Sequence, residues 1–496
     1  MYPVTSSPGL RVSRLRARTD SAIYMLVFLL VIGCVSDVQG LVLSPLLGKM
    51  AEALHLSSAQ TSWAVNSQSI AAVILTGLAA RYADIIGHRK VLLPLLTLGV
   101  IGSLLCALAT SFQVLLAGRL FCGMAVCAPM AWAMLRARAN DSTIAKASHY
   151  NGTAIATMTP ISLILGGLLL SAGASWNSSF WLIAAGFLAI LIMAFFAQET
   201  PAEQRIPARL DLIGSIGLGL WLLCLLLALS NGGTWGWNSG ATLGLFAAAV
   251  AIFIAWVFQQ RSIDHALMDF RDMDTRQVAA GYVIACVAAI NGGGIFILVP
   301  AFAQTPPVAG YGFGSSVLLS SCALLPILPA AFIAGAISRR MVDRWGPRVP
   351  IWAGGLGVVA SFLIFAFAHT AIWEFYIGVF VYAAGAIVAY NVSWALCAAA
   401  ARNNNMATTF GIQYGLLIPA SALLVAVVLA VEYGNVKVVP TLSGAVLPKE
   451  GAYTALFIGL AVAGFIGFVL NGLFLAPRRL RHQNARAREV GTAAEL

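Results

Sequence analysis

Ala80-Arg-Tyr-Ala-Asp84-Ile-Ile-Gly87-His-Arg89-Lys90 is matched, 259 positions later from aspartate to aspartate, by Arg339-Arg-Met-Val-Asp343-Arg344-Trp-Gly346-Pro-Arg348. Each stretch sets an Asp three residues before a Gly and adds cations. An Asp at a helix end can accept from the free N–H groups of a neighbouring helix, a Gly permits a tight reversal, and Lys and Arg favour a headgroup surface. One such loop is an ordinary charged turn; two in matching places mark a duplicated chain. Both are flanked by apolar runs of about twenty residues, long enough to cross a hydrocarbon core of about 30 Å.

Working outward, 60% of the 496 residues are hydrophobic and 9% are charged. A soluble domain carries about 25% charged residues, so a water-soluble enzyme is excluded. Apolar segments fall near 22–48, 62–80, 91–110, 113–135, 149–172, 178–197 and 211–230. Seven more follow near 241–259, 278–300, 314–338, 350–369, 373–400, 408–431 and 451–476. They lack the two-residue alternation of a membrane barrel, and an open sheet would strand backbone groups in lipid, so the reading is all-α, with fourteen spanning helices. The run from Ala22 is too long for a signal-peptide core and reads as a retained first span.

With the N-terminus in the cytoplasm, 25 of the 29 Lys and Arg fall on inside segments. The positive-inside rule then fixes an even number of spans with both termini cytoplasmic, and the net charge of +11 is a topology signal rather than a nucleic-acid footprint. The eight cysteines are scattered singly through apolar stretches, with neither disulfide nor metal spacing. Asn231–Gly240 suits a short outer hairpin with Trp235 and Trp237 at headgroup level, and the outer loop 433–451 is expected to form a small two-stranded flap.

The paired loops resemble the signature loop of the major facilitator superfamily, Asp-x-x-Gly-x-Arg-[Arg/Lys], and the resemblance covers nearly the whole chain. The separation of the aspartates exceeds what six helices need, so two extra central helices are expected. That is similar to the fourteen-helix drug:proton antiporter branch, as are Leu210-Asp211-Leu-Ile-Gly214, the Gly236-Trp237 turn and Gly310-Tyr-Gly-Phe-Gly-Ser315. The implied organisation is a tail (1–21), a six-helix bundle (22–198), two extra helices with linkers (199–276), a second bundle (277–476) and a basic tail (477–496). Arg119-Leu-Phe-Cys-Gly123 resembles the family's Arg-x-x-x-Gly motif, in which the Arg is associated with proton transfer. Thr159-Pro160 to Gly166-Gly167 departs from the antiporter pattern Gly-Pro-x-x-Gly-Gly, which is read as sealing the interface between the halves.

Charges deep in a span are costly, so those present face a partner or a wet cavity. Asp37, in the first span, resembles the first-helix Asp of that branch. In a central cavity its carboxyl can bind a proton and exchange it for a cationic substrate; otherwise it is a cap or a boundary carboxylate. Arg119 either takes part in proton coupling or braces the N-terminal half through carbonyls. Asn66, Gln68, Asn291, Asn391 and Gln413 line the cavity or glue helices. Trp132, Phe296, Tyr390 and Trp394 offer aromatic faces to a bulky cation, or pack. Asp84, Gly87, Arg89, Asp343, Arg344 and Gly346 form the two switch loops, while Glu374 and Glu432 read as rim residues.

The chain lacks a phosphate-cradling loop: Gly48-Lys49-Met50 has neither the following Ser/Thr nor the earlier Gly. The six histidines fall in loops or near span ends, without an acidic partner cluster, so an enzyme is not expected. The expectation is a monomer in the bacterial cytoplasmic membrane that exports hydrophobic or cationic small molecules by alternating access, driven by protons without a bound cofactor. The alternative is an exporter or facilitator of an endogenous metabolite, antibiotic or lipid without strict proton coupling.

Overall fold

Apolar runs of this length bury their backbone polar groups only as helices, and a computed structural model shows fourteen of membrane-crossing length among the described residues. Those residues are 21–201, 211–263, 275–401, 406–434, 436–439 and 445–480. The first bundle holds α1 (Ala22–Ala53), α2 (Trp63–Ile86), α3 (His88–Ala107), α4 (Phe112–Arg136), α5 (Asp141–Ser171) and α6 (Ser178–Phe196). The extra pair is α7 (Leu212–Gly233) and α8 (Gly240–Ser262). The second bundle holds α9 (Arg276–Gln304), α10 (Val317–Trp345), α11 (Arg348–Phe367), α12 (Ile372–Ala400), α13 (Met406–Val425) and α14 (Glu450–Leu475). The fold is therefore all-α, two six-helix bundles with two helices between them.

Helix ends run past the apolar cores. α5 begins at Asp141, capped by the Asn140 side chain, rather than near 149, because its charged first turns are held by the cap and not by lipid. α7 and its continuation run helically to Trp235 before the Gly236 turn, and Ser239 caps α8. α1 breaks after Leu41 into a 3-10 turn at Ser44–Leu46 containing Pro45. The flap is present as the antiparallel pair Val436–Val439 and Ala445–Pro448. The N-terminal tail, most of the C-terminal one, Arg205, Arg209, Arg271, Arg402 and the Glu432 side chain lie outside the described residues.

The halves meet in a two-fold manner. α5 packs on α10 and α12, and its counterpart α13 packs on α2 and α4. α7 lies over the second of these seams, touching both α2 and α13. We call the end bearing Asp84 and Asp343 the basic end, and the opposite end, with the β-pair, the hairpin end.

Candidate functional site

A cavity of about 420 Å³ opens between the bundles in the half nearer the hairpin end. Its wall is mostly Gly, Ala, Ile and Leu, with Phe296, Tyr382, Tyr390 and Tyr414 as its aromatic faces. Asp37 is the one acidic residue on that wall and is partly exposed to the cavity. Its Oδ2 accepts from Thr159 Oγ1 at 2.6 Å, and the same hydroxyl lies 3.1 Å from the Ile155 carbonyl within α5. Thr159 precedes Pro160, a residue without an N–H of its own, so the hydroxyl sits in a helix turn already short of a backbone donor.

The cavity floor is an aromatic plug shared by both bundles. Trp132 of α4 stacks on Phe410 of α13 at 4.5 Å and on Trp394 of α12 at 5.9 Å. Tyr390 and Tyr414 rest on Trp394 at 5.7 and 5.2 Å and are the plug's upper surface. Trp132 and Trp394 are fully buried and do not line the cavity. Indole rings crossing a seam fill it, leaving no face free for cargo in this conformation.

Of the polar candidates, none of Asn66, Gln68, Asn291, Asn391 and Gln413 is on the cavity wall. Gln68 sits where α2 meets Gly123 of α4, close enough that a Cβ there would collide with the Gln68 carbonyl. Asn291 is buried against α14, its amide within reach of Gly464. Gln413 donates to Ser393 Oγ at 3.4 Å. Asn391 donates to Thr153 and Ser338, each at 3.3 Å, and Ser338 Oγ lies 2.9 Å from His149 Nδ1. This polar knot ties α5 to α10 and α12, so His149, read from sequence as peripheral, is a buried seam residue. Arg119 does not reach Asp37. Its Nε and Nη2 donate to the Ala64 and Val65 carbonyls of α2 at 2.9 and 3.3 Å, and its guanidinium stands 5.9 Å over the Phe180 ring.

The two loops at the basic end share one construction. Arg89 donates to the Ala194 and Phe195 carbonyls at the end of α6, at 3.1 and 2.6 Å. Arg348, at the same offset from its aspartate, donates to Ala476 O just beyond α14 at 2.6 Å. Each arginine thus satisfies free carbonyls at the end of the last helix of its own bundle. Arg344 instead lies over the neighbouring Trp345 ring at 5.6 Å. Gly87, at φ +120°, leaves room for the Glu199 carboxylate, which accepts from the N–H groups of Arg89 and Lys90 at 3.1 and 3.0 Å and so caps α3. Gly346, at φ +74°, passes close to the Arg478 carbonyl.

The loops differ across the seam. Asp84 is 1% exposed and accepts from Thr408 Oγ1 at 2.6 Å, from Thr408 N at 3.2 Å and from His88 Nε2 at 2.9 Å. His88 Nδ1 lies 2.8 Å from Thr200 Oγ1, which a neutral ring protonated on Nε2 satisfies. Asp343 has a side chain 67% exposed and, among the described residues, a loose contact with Arg339 at 3.6 Å. Thr408, Glu199 and Thr159 were not singled out from the sequence; the signal for Arg348 was present in its equal spacing to Arg89.

Comparison with known proteins places this geometry. A family model described as Major Facilitator Superfamily matches residues 29–426. The tetracenomycin C resistance and export protein of Streptomyces glaucescens is 25% identical over 310 residues, 62% of this chain and 56% of that one. The multidrug resistance protein Stp of Mycobacterium tuberculosis is 27% identical over 311 residues, again 62% and 56%. The uridine/deoxyuridine transporter of Lactococcus lactis is 26% identical over 342 residues, 66% and 69%. The matched stretches thus span little more than half the length of the first two relatives. Among solved structures, the proton:xylose symporter XylE superposes with a TM-score of 0.64 at 13% identity, over 94% of this chain and 98% of that one.

Proposed function

Because the chain belongs to the Major Facilitator Superfamily, a family of transporters and not of enzymes, we propose that it exports hydrophobic or cationic small molecules in exchange for protons. The observation that carries this reading is a single carboxyl group, Asp37, on a wall between the bundles whose other residues are uncharged and mostly apolar or aromatic. The Streptomyces relative is named for resistance and export, and the Mycobacterium one for multidrug resistance. On this reading the basic end is cytoplasmic and the structure is an outward-facing state, its inner side closed by the aromatic plug, the Asp84–Thr408 contact and the His149–Ser338–Asn391 knot.

The Thr159 hydroxyl serves both charge states of the acid. While Asp37 is ionised, Thr159 donates to it; once Asp37 is protonated, the carboxyl donates to Thr159 Oγ1, and the hydroxyl turns to the Ile155 carbonyl. A cation or a proton, but not both, neutralises the carboxylate, and that competition is antiport. Arg119 braces α4 on α2, and its part in coupling is to hold that pair rigid. Despite the missing Gly-Pro, Gly166 of α5 packs closely on α1, where a Cβ would collide with the Val42 carbonyl, while Gly167 meets Leu318 of α10 at ordinary contact distance. Uphill export of a lipophilic cation from proteoliposomes under an imposed pH gradient tests the proposal. Flux that ignores the gradient favours the facilitator reading; the Lactococcus relative's name, a uridine/deoxyuridine transporter, speaks for a metabolite cargo and not for the energy source.

A further inference from the structure

Behind the cavity wall lies a second hollow of about 620 Å³, bounded by α7, α8, α9 and α13. Every lining residue is apolar in type, among them Leu225, Ile290 and Pro419, with Trp237 toward the hairpin end. Leu423 and Val427 on its wall are 40% and 44% exposed, so the hollow lies open to the hydrocarbon around the protein. At that depth nothing but hydrocarbon is available to fill it.

Only α9 and α13 separate this hollow from Asp37. Gly292, Gly293 and Leu417 face the cavity, while Ile290, Leu416 and Leu423 of the same two helices face the hollow. The polar ties between α9 and α13 sit toward the basic end: Tyr282 donates to the Thr409 carbonyl at 2.8 Å and Cys286 Sγ to that of Leu416 at 3.9 Å. Nearer the hairpin end the seam is a bare glycine against a leucine, a Cβ at Gly293 standing 2.6 Å from Leu424 Cδ2. A leucine rotamer change and a small helix shift open such a contact without breaking a hydrogen bond.

We propose that the hairpin-end half of the α9–α13 seam is a side door, through which the alkyl tail of an amphiphilic cation leaves the cavity for the outer leaflet. The hollow receives the tail while the cationic head stays near Asp37. This deepens the export reading and rests on it, naming the cargo class as a cation on a long hydrocarbon chain. A tail leaving through the open vestibule would be exposed to water methylene by methylene, whereas this path keeps it in apolar surroundings throughout.

The test compares the full chain with I290W/L423W, which fills the hollow, in proteoliposomes given hexadecyltrimethylammonium or the compact cation tetraphenylphosphonium. Export of the long-chain cation should fall about ten-fold or more, the scale on which a few methylenes of pocket space discriminate, with tetraphenylphosphonium export unchanged. In parallel, a photoreactive long-chain ammonium probe, applied without any gradient, should label the peptide around Leu423 of α13 and Val427, on the helix's continuation to Gly434, in the wild type and lose that labelling in the variant. Equal effects on both cargoes overturn the proposal, as does labelling confined to the central cavity. Lost labelling with undiminished long-chain export also overturns it, leaving only a resident lipid site. A wild type that moves neither cargo refutes the export reading instead, and the labelling arm still decides the hollow. Leu225→Trp on α7 replaces the double variant if that fails to reach the membrane.

Discussion

Asp84 and Asp343 occupy equivalent positions in the two halves, yet Asp84 is docked on Thr408 of the opposite bundle while Asp343 stands in solvent. Among the described residues the duplicated loop therefore latches one flank. The other flank is held by the neutral knot around His149, Ser338 and Asn391.

Thr408→Val removes the short bond to Asp84 and keeps the side-chain volume. A hydrogen bond to a charged group contributes about 1.5–3 kcal/mol, so the inward-open population should rise roughly ten-fold or more. Alkylation of a cysteine placed at the buried Ala401, with the eight native cysteines replaced, reads this directly. An unchanged alkylation rate would show that the latch carries no weight.

Asp37→Asn keeps the shape of the site and its contact with Thr159 but removes the titratable group. Uphill export should be lost, while downhill exchange of a neutral hydrophobic substrate persists and becomes independent of pH. Flux measured from pH 5 to 9 in proteoliposomes checks this, and a retained pH dependence would remove Asp37 from the coupling.

Arg89→Ala should destabilise the protein by about 1.5–3 kcal/mol, because the Ala194 and Phe195 carbonyls lose their charged donor, and Arg348→Ala by less, because it frees only the Ala476 carbonyl while Arg276 still donates to those of Phe474 and Leu475. Arg344→Ala, which removes only a ring contact, should change stability little. Thermal unfolding in detergent separates the three.

Phe410→Ala takes a ring out of the plug between Trp132 and Trp394. Large-to-small changes of this kind cost about 3–5 kcal/mol where the site cannot collapse. The expected outcome is a protein that still inserts but leaks protons, seen as faster decay of an imposed pH gradient in the absence of substrate.

The fourteen helices, the paired loops and the extra central pair were legible because lipid demands long apolar runs and a repeat advertises itself by spacing. Asp37, Phe296 and Tyr390 were also legible and do line one cavity. Trp132, Trp394, Asn391 and Gln413 were left open between lining the cavity and packing or gluing helices, since a residue type reveals that a side chain must find a partner but not which helix supplies it; in the structure they pack between helices. Arg119 showed the same ambiguity, and the structure gives it the Ala64 and Val65 carbonyls as partners. Thr159 and Glu199 were missed because a hydroxyl within a span and a carboxylate just past a helix end are common, and only their neighbours make them particular.

α7 leans on α2 and α13 together, one helix from each bundle. Should the bundles part, α7 spans this edge and not the other, so this edge would act as the hinge pin and the α5 edge would travel farther. The added helices would then trade the symmetric rocking of a twelve-helix carrier for the swing of a gate hung on one post, with most of the displacement on the side of His149.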